Sequence, residues 1–207
     1  VGRWGSGLVP LRGQNNVQGG GDMGAIPNKF VGGQDVEDPA LREQIKGFFG
    51  QEGRHAHEHE RVFKMLEAQG YEIRPFLGLY KKIAYDWIER YSPPSLRLAA
   101  TAALEHYTAI LAEGALEHDT LDAAHPRMRA LLQWHAAEEI EHKAVAFDVL
   151  QATRPGYALR MAGMAVATLT LIGFWVVGAT MLLRQEKQLT VRELLRGKEA
   201  KLHTRDR

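Results

Sequence analysis

The sequence predicts an all-α fold, on three observations. Apolar residues recur at the helical period from Leu41 onward, the segments they define are punctuated by Pro and Gly, and alternating strand patterns are absent. Asp38-Pro39 opens the first helix, with Asp as N-cap and Pro at the first helical position. Leu41, Ile45, Phe48/Phe49, Val62/Phe63 and Leu66 follow on one face, and Gly70 is the stop. A second helix is predicted over about 75–91, ended by Ser92-Pro93-Pro94. Ser95 caps a third over about 96–118. Pro126 opens a fourth over about 126–152, closed by Arg154-Pro155-Gly156.

The two ends differ from this middle. Residues 1–34 hold 10 of the 21 Gly and show no sustained period, and Gly19-Gly20-Gly21 cannot sit inside a regular element. No apolar run of signal-peptide length lies there. Residues 161–183, by contrast, carry no charge. As a helix they reach about 34 Å, enough to cross a hydrocarbon core of about 30 Å. A fully buried bundle helix, or a hairpin embedded in the membrane or its interface, is the alternative. The stretch 184–207 carries eight Lys/Arg against four Asp/Glu, so it is expected on the cytoplasmic side if the apolar helix spans. The organisation expected is an irregular segment 1–37, a helical bundle 38–158, a hydrophobic helix 159–185 and a basic tail 186–207.

Composition limits the chemistry. The 207 residues include 26 basic and 25 acidic side chains, a balance that gives no reason to expect a nucleic-acid partner. With no Cys there is no disulfide, thiolate nucleophile, Cys-held zinc or iron–sulfur cluster in this chain. Any metal is held by carboxylate and imidazole, and nine His make that worth testing.

The chemistry appears where the apolar stripes are interrupted. In the first helix the stripe runs Leu41, Ile45, Phe48, then Glu52, His55, His59, then Val62 and Leu66. Offsets of 3 and 7 put the three polar residues within an arc of about 60°. Ionisable groups buried there without partners cost several kcal/mol each, which a metal offsets. The fourth helix repeats the interruption: Met128, Leu131/Leu132, then His135, Glu138/Glu139, His142, then Val145 and Val149. Glu139-Ile-Glu-His142 thus repeats the Glu-x-x-His of Glu52-Gly-Arg-His55, about 85 residues later. In the third helix Glu105 sits in the stripe of Leu98, Thr101/Ala102 and Thr108/Ala109. Two Glu-x-x-His helices and a lone Glu suit a carboxylate-bridged pair of divalent ions in a helical bundle, iron or manganese first and zinc next. His57 and Glu58 point away from the stripe, and His106, His118 and His125 read as surface or turn residues.

Two resemblances attach to these residues. The stretches DPALREQIKGFFGQEGRHAHEHERVF, LAATAALEHYTAILAEGALE and LLQWHAAEEIEHKAVAFDVL make residues about 38–190 resemble the predicted metal-dependent hydrolase family of bacterial ferritin-like proteins. The resemblance implies a ferritin-like bundle with ligand roles for Glu52, His55, Glu105, Glu139 and His142. The apolar run 161–183 also fits that family of bacterial proteins, and its length and composition make membrane association, with lipid as a partner, the expectation. Residues about 1–42, with RGQNNVQG followed by DMGA and Pro27, resemble an internal stretch of the molybdopterin-dependent formate dehydrogenase catalytic subunit. The two meet at Asp38-Pro39-Ala40-Leu41-Arg42, so the chain reads as a join of two coding sequences with the crossover near 37–43.

The join has a chemical consequence. The hydrolase-like family has an earlier helix that gives one more Glu, and here the other segment stands in its place. The expectation is therefore a ferritin-like bundle lacking its first helix, with one ion held normally and a second weakly. His59 and His135 are supplementary ligands or donors behind the ligands, and Glu138 and Glu141 are candidate bases at the edge. Molybdopterin is not expected to bind, because the fold that positions it is absent. Metal-dependent hydrolysis leads the functional readings, followed by a di-iron oxygenase or oxidase acting on a lipid-like substrate. A non-enzymatic membrane protein with a relic site comes next, and formate oxidation last. The small-molecule substrate is not named by any motif, and homo-oligomerisation is left open.

Overall fold

A computed structural model describes residues 36–186 other than 119 and 155. The formate-dehydrogenase-like segment up to residue 35 and the basic stretch from 187 therefore lie outside the described residues. Within them the chain is helical, with no strand. The elements are α1 (Pro39–Ala68), α2 (Arg74–Ile83), a π-helical stretch (Ala84–Glu89), α3 (Pro94–Glu117), α4 (Pro126–His142), α5 (Val145–Thr153) and α6 (Tyr157–Gln185).

The start of α1 follows its sequence. The Asp38 carboxylate accepts from the Ala40 N–H at 2.8 Å, and Pro39 occupies the first turn. Gly70 ends the helix with φ of 92°, a left-handed conformation that costs glycine nothing. Leu41, Ile45 and Phe48 then pack with Leu98, Ala99 and Ala102 of α3 and with Val145, Ala146, Val149 and Leu150 of α5. This apolar cluster lies at one end of the α1 stripe and holds the following turns of α1 against α4.

Two predicted helices are not continuous. The second changes from α to π winding at Ala84, which places Ala84 inside while Trp87 and Tyr91 face out. The fourth breaks at Lys143-Ala144, one residue past His142, and resumes as α5. No Pro or Gly marks either change, so neither carried a sequence signal. The third helix begins at Pro94 behind Pro93, and Ser95 does not cap it.

α3 is the central helix, buried from Leu98 to Ala103 and again at Glu105, Ala109 and Ala112. Its small side chains let α6 come close. A Cβ built on Gly163 would meet the Ala99 carbonyl carbon at 2.5 Å. α6 alone among the described helices is long and apolar enough to cross a membrane, and only 6% of its most apolar stretch is buried. It is therefore not the core helix of this chain.

Candidate metal centre

The polar interruptions of α1 and α4 face each other. Glu52 and His55 come from the fourth and fifth turns of α1, Glu139 and His142 from the last turn of α4. One ligand atom from each of the four lies within 4.8 Å of all the others. His55 Nδ1 is 3.3 Å from Glu52 Oε1 and 3.3 Å from Glu139 Oε1. His142 Nε2 is 3.4 Å from Glu52 Oε1 and 3.5 Å from Glu139 Oε2. Both imidazoles are 2% exposed.

These atoms are close without being hydrogen-bonded. Glu52 Oε1, His55 Nδ1 and both ring nitrogens of His142 are buried and make no hydrogen bond. Leaving such groups unsatisfied costs about 1–3 kcal/mol each. Ion–ligand bonds of about 2.1 Å put neighbouring ligand atoms of a tetrahedron about 3.4 Å apart, which is the spacing observed. The residues fit a divalent ion.

The second nitrogen of His55 is already assigned. Its Nε2 lies 3.1 Å from Glu138 Oε2, and Glu138 also accepts from Arg54 at 2.7 Å. A proton on Nε2 directed at Glu138 leaves the Nδ1 lone pair facing Glu52 and Glu139. Burial pulls the His55 imidazole down, but Glu139 and Glu52 outweigh it and raise it to about 10 in the metal-free chain. Burial pushes Glu139 up, but His135, His142, His55 and Thr108 together hold it well below the usual carboxylate range. The cluster thus keeps its central carboxylate ionised.

A family model for predicted metal-dependent hydrolases matches residues 32–206. The chain belongs to that family. It also carries short likenesses to formate dehydrogenases. Formate dehydrogenase H of Escherichia coli is 47% identical over 60 residues, 29% of this chain and 8% of that protein. A formate dehydrogenase subunit alpha of Methanocaldococcus jannaschii is 66% identical over 38 residues, 18% of this chain and 6% of that protein. The chain therefore spans less than a tenth of the length of these relatives. Two unequal likenesses in one chain fit the reading of a join. No solved structure matches the chain.

Around the centre of this hydrolase-family chain the other predicted residues divide. Glu105 on α3 is buried beside the four, its Oε2 3.8 Å from His142 Nε2. His135 Nε2 lies 3.2 Å from Glu139 Oε1, and its ring is 4.1 Å from that of His55. His59 is exposed, with its ring 5.2 Å from that of His135. Glu141 is exposed and accepts from Gln51 Nε2 at 2.8 Å. His57, His106, His118 and His125 are exposed. Sequence reasoning did not pick out Arg54, Trp134 or Thr108 as parts of the site. Trp134 stands edge-on to His55 at 5.4 Å, and Phe48 lies 5.1 Å from His142. Thr108 follows Glu105 by three residues on the same face, a spacing that could have flagged it.

Proposed function

We propose that the chain is a hydrolase with a ferritin-like centre in which Glu52, His55, Glu139 and His142 hold one divalent ion. Glu105 beside His142 and His135 beside Glu139 would offer further donors to a second, more weakly held ion. The convergence of the two Glu-x-x-His segments on four ligand atoms within 4.8 Å supports this reading. A donor set of carboxylate and imidazole suits iron or manganese, with zinc as a further candidate. A divalent ion there supplies Lewis acidity toward a carbonyl or phosphoryl oxygen and acidifies coordinated water.

The chain's own residues do the rest. Glu138 holds the His55 ring in one orientation, and Arg54 holds the Glu138 carboxylate in place for that task. Glu52 and Glu139 offset the charge of the ion. Trp134 and Phe48 wall off the two imidazoles from bulk water. Glu138 is committed to Arg54 and His55, so Glu141, exposed and bonded to Gln51, is the carboxylate free to take a proton at the edge. Residues 38–158 form the metal-binding bundle in this proposal, and α6 brings it to a membrane.

A second reading, oxygen chemistry at a di-iron centre on a lipid-like substrate, is favoured by one observation. His135 beside Glu139 brings a third imidazole to a carboxylate-rich cluster. Metal content and turnover of the purified chain separate the readings. Ester or phosphoester cleavage under manganese or zinc supports hydrolysis. Iron-dependent oxygen consumption supports the second reading. Metal content indistinguishable between the wild-type chain and the Glu52→Ala and His142→Ala variants removes both.

A further inference from the structure

We infer that α6 lies in the plane of the membrane interface, with one face in the lipid, and does not cross the bilayer. The inference rests on the membrane association proposed above and is independent of the metal centre. Length and apolar composition alone make α6 a candidate span. What flanks it argues against spanning.

The segment from Tyr71 to Tyr91 runs antiparallel along α6. Tyr71 donates to Glu186 at 2.6 Å, and the Glu72 N–H donates to Gln185 at 2.7 Å. Phe76 lies against Gly178, and Tyr80 stacks edge-on with Phe174 at 4.7 Å. Trp87, Ile88 and Tyr91 then share a groove with Val166, Leu169 and Thr170. This flanking segment carries exposed Lys81, Lys82, Asp86 and Arg90. It also carries Glu89, paired with Arg97 at 3.0 Å. All of them sit beside the middle of α6. Were α6 to cross a bilayer, these charges would be held near its midplane, where charged side chains are strongly disfavoured. Lys81 and Lys82, one and two residues beyond Tyr80, have no short route from there to either surface.

The same packing leaves the opposite side of α6 bare. Gly163 and Ala167 face α3, while Met161, Leu169, Ile172, Val176 and Leu183 point away from it and are exposed. Helical spacing puts these five on one uncharged stripe about 33 Å long. Exposed Trp87, Tyr91 and Trp175 border it, as aromatic side chains border a lipid-facing surface. Lys81, Lys82, Arg160 and Arg184 stand around its margins, and the sequence from 185 to 207 brings seven more Lys/Arg against four acids. This charge suits an anionic lipid surface and would repel a second copy of the same face. An apolar helix face in lipid, with charged neighbours at headgroup level, satisfies both sets of side chains.

The chain has no cysteine, so single substitutions report one position each. The full chain carries a spin label at Met161→Cys, Ile172→Cys or Leu183→Cys in vesicles of phosphatidylcholine and phosphatidylglycerol. All three replace exposed side chains. The expected result is the same shallow depth at the three positions, within about 5 Å of one another and about 5–10 Å into the boundary. Tyr157→Cys and Arg184→Cys are expected to react with a membrane-impermeant maleimide from the same side. A deep label at Ile172 between two shallow ones, with Tyr157→Cys and Arg184→Cys on opposite sides, overturns the in-plane placement and leaves membrane association standing. Failure to bind the vesicles, or a dimer that hides the three labels, overturns the membrane reading as a whole.

Discussion

Glu138 decides which nitrogen of His55 is available to an ion. With Nε2 at 3.1 Å from its carboxylate, the imidazole presents Nδ1 to Glu52 and Glu139. Partners behind a ligand of this kind are worth about 10–100-fold in metal affinity. Glu138→Leu is therefore expected to weaken manganese or zinc binding by that factor in a direct titration, whereas His142→Ala abolishes tight binding. Equal affinities for Glu138→Leu and wild type would sink the assignment. The protons give a second check. His55 is raised to about 10 in the metal-free chain, so its proton is bound at neutral pH and must leave before Nδ1 can take an ion. Glu139 is held ionised and adds no proton to this exchange. Affinity should thus rise with pH until about 10, at up to roughly tenfold per unit. Calorimetry in buffers of different protonation enthalpy should find one proton released per ion from this histidine. In the metal-free chain the sign is opposite: the charged pair stabilises fully below pH 6.5, and that contribution is lost as the pH rises through about 10. The convergence of Glu52, His55, Glu139 and His142 was legible because each replaces an apolar residue in a stripe. The division of labour between Glu138 and Glu139 was not, because adjacent positions 100° apart both border the stripe.

Helix ends and helix seams are separate questions at the scale of elements. Asp38, Pro39 and Gly70 announced the limits of α1, because capping and left-handed turns are chemistry of single residues. Removing the cap with Asp38→Ala is expected to cost about 1 kcal/mol, read as a lower midpoint in denaturant unfolding. The π winding at Ala84–Glu89 and the break after His142 had no such announcement, since they depend on what packs against the helix. The seam between α3 and α6 is of the same tertiary kind. Gly163 faces the Ala99 backbone at a distance no Cβ can occupy, with the carbonyl carbon at 2.5 Å and the carbonyl oxygen at 2.6 Å. Gly163→Leu should therefore push the helices apart and cost about 1–3 kcal/mol, the usual range for overpacking. Ala99→Gly in the same chain should give little rescue, because the clash is with backbone and the Ala99 methyl is only part of it. Full recovery in the double variant would mean that the methyl, rather than the main chain, sets the seam.

For the whole molecule, the candidate metal centre is also the joint between two helices far apart in sequence. α1 and α4 meet there through polar groups: Arg54 with Glu138, Gln51 with Glu141, and the two Glu-x-x-His pairs. The apolar cluster joins α1 to α3 and α5 and reaches this joint through Phe48, which lies against His142. Without an ion the joint contains buried nitrogens and a carboxylate oxygen that make no hydrogen bond. An ion that binds only the folded chain stabilises it by about 2.7 kcal/mol at a concentration 100 times its dissociation constant. Chelator should therefore lower the thermal midpoint of the wild-type chain, and added manganese or zinc should restore it. His142→Leu makes the separation. It removes two unsatisfied nitrogens and a ligand together, so the metal-free variant should be no less stable than metal-free wild type. Its midpoint should not respond to the ion. A variant that still gains stability from manganese would place the ion away from the α1–α4 joint, and a wild-type midpoint indifferent to chelator would mean that the joint holds without one.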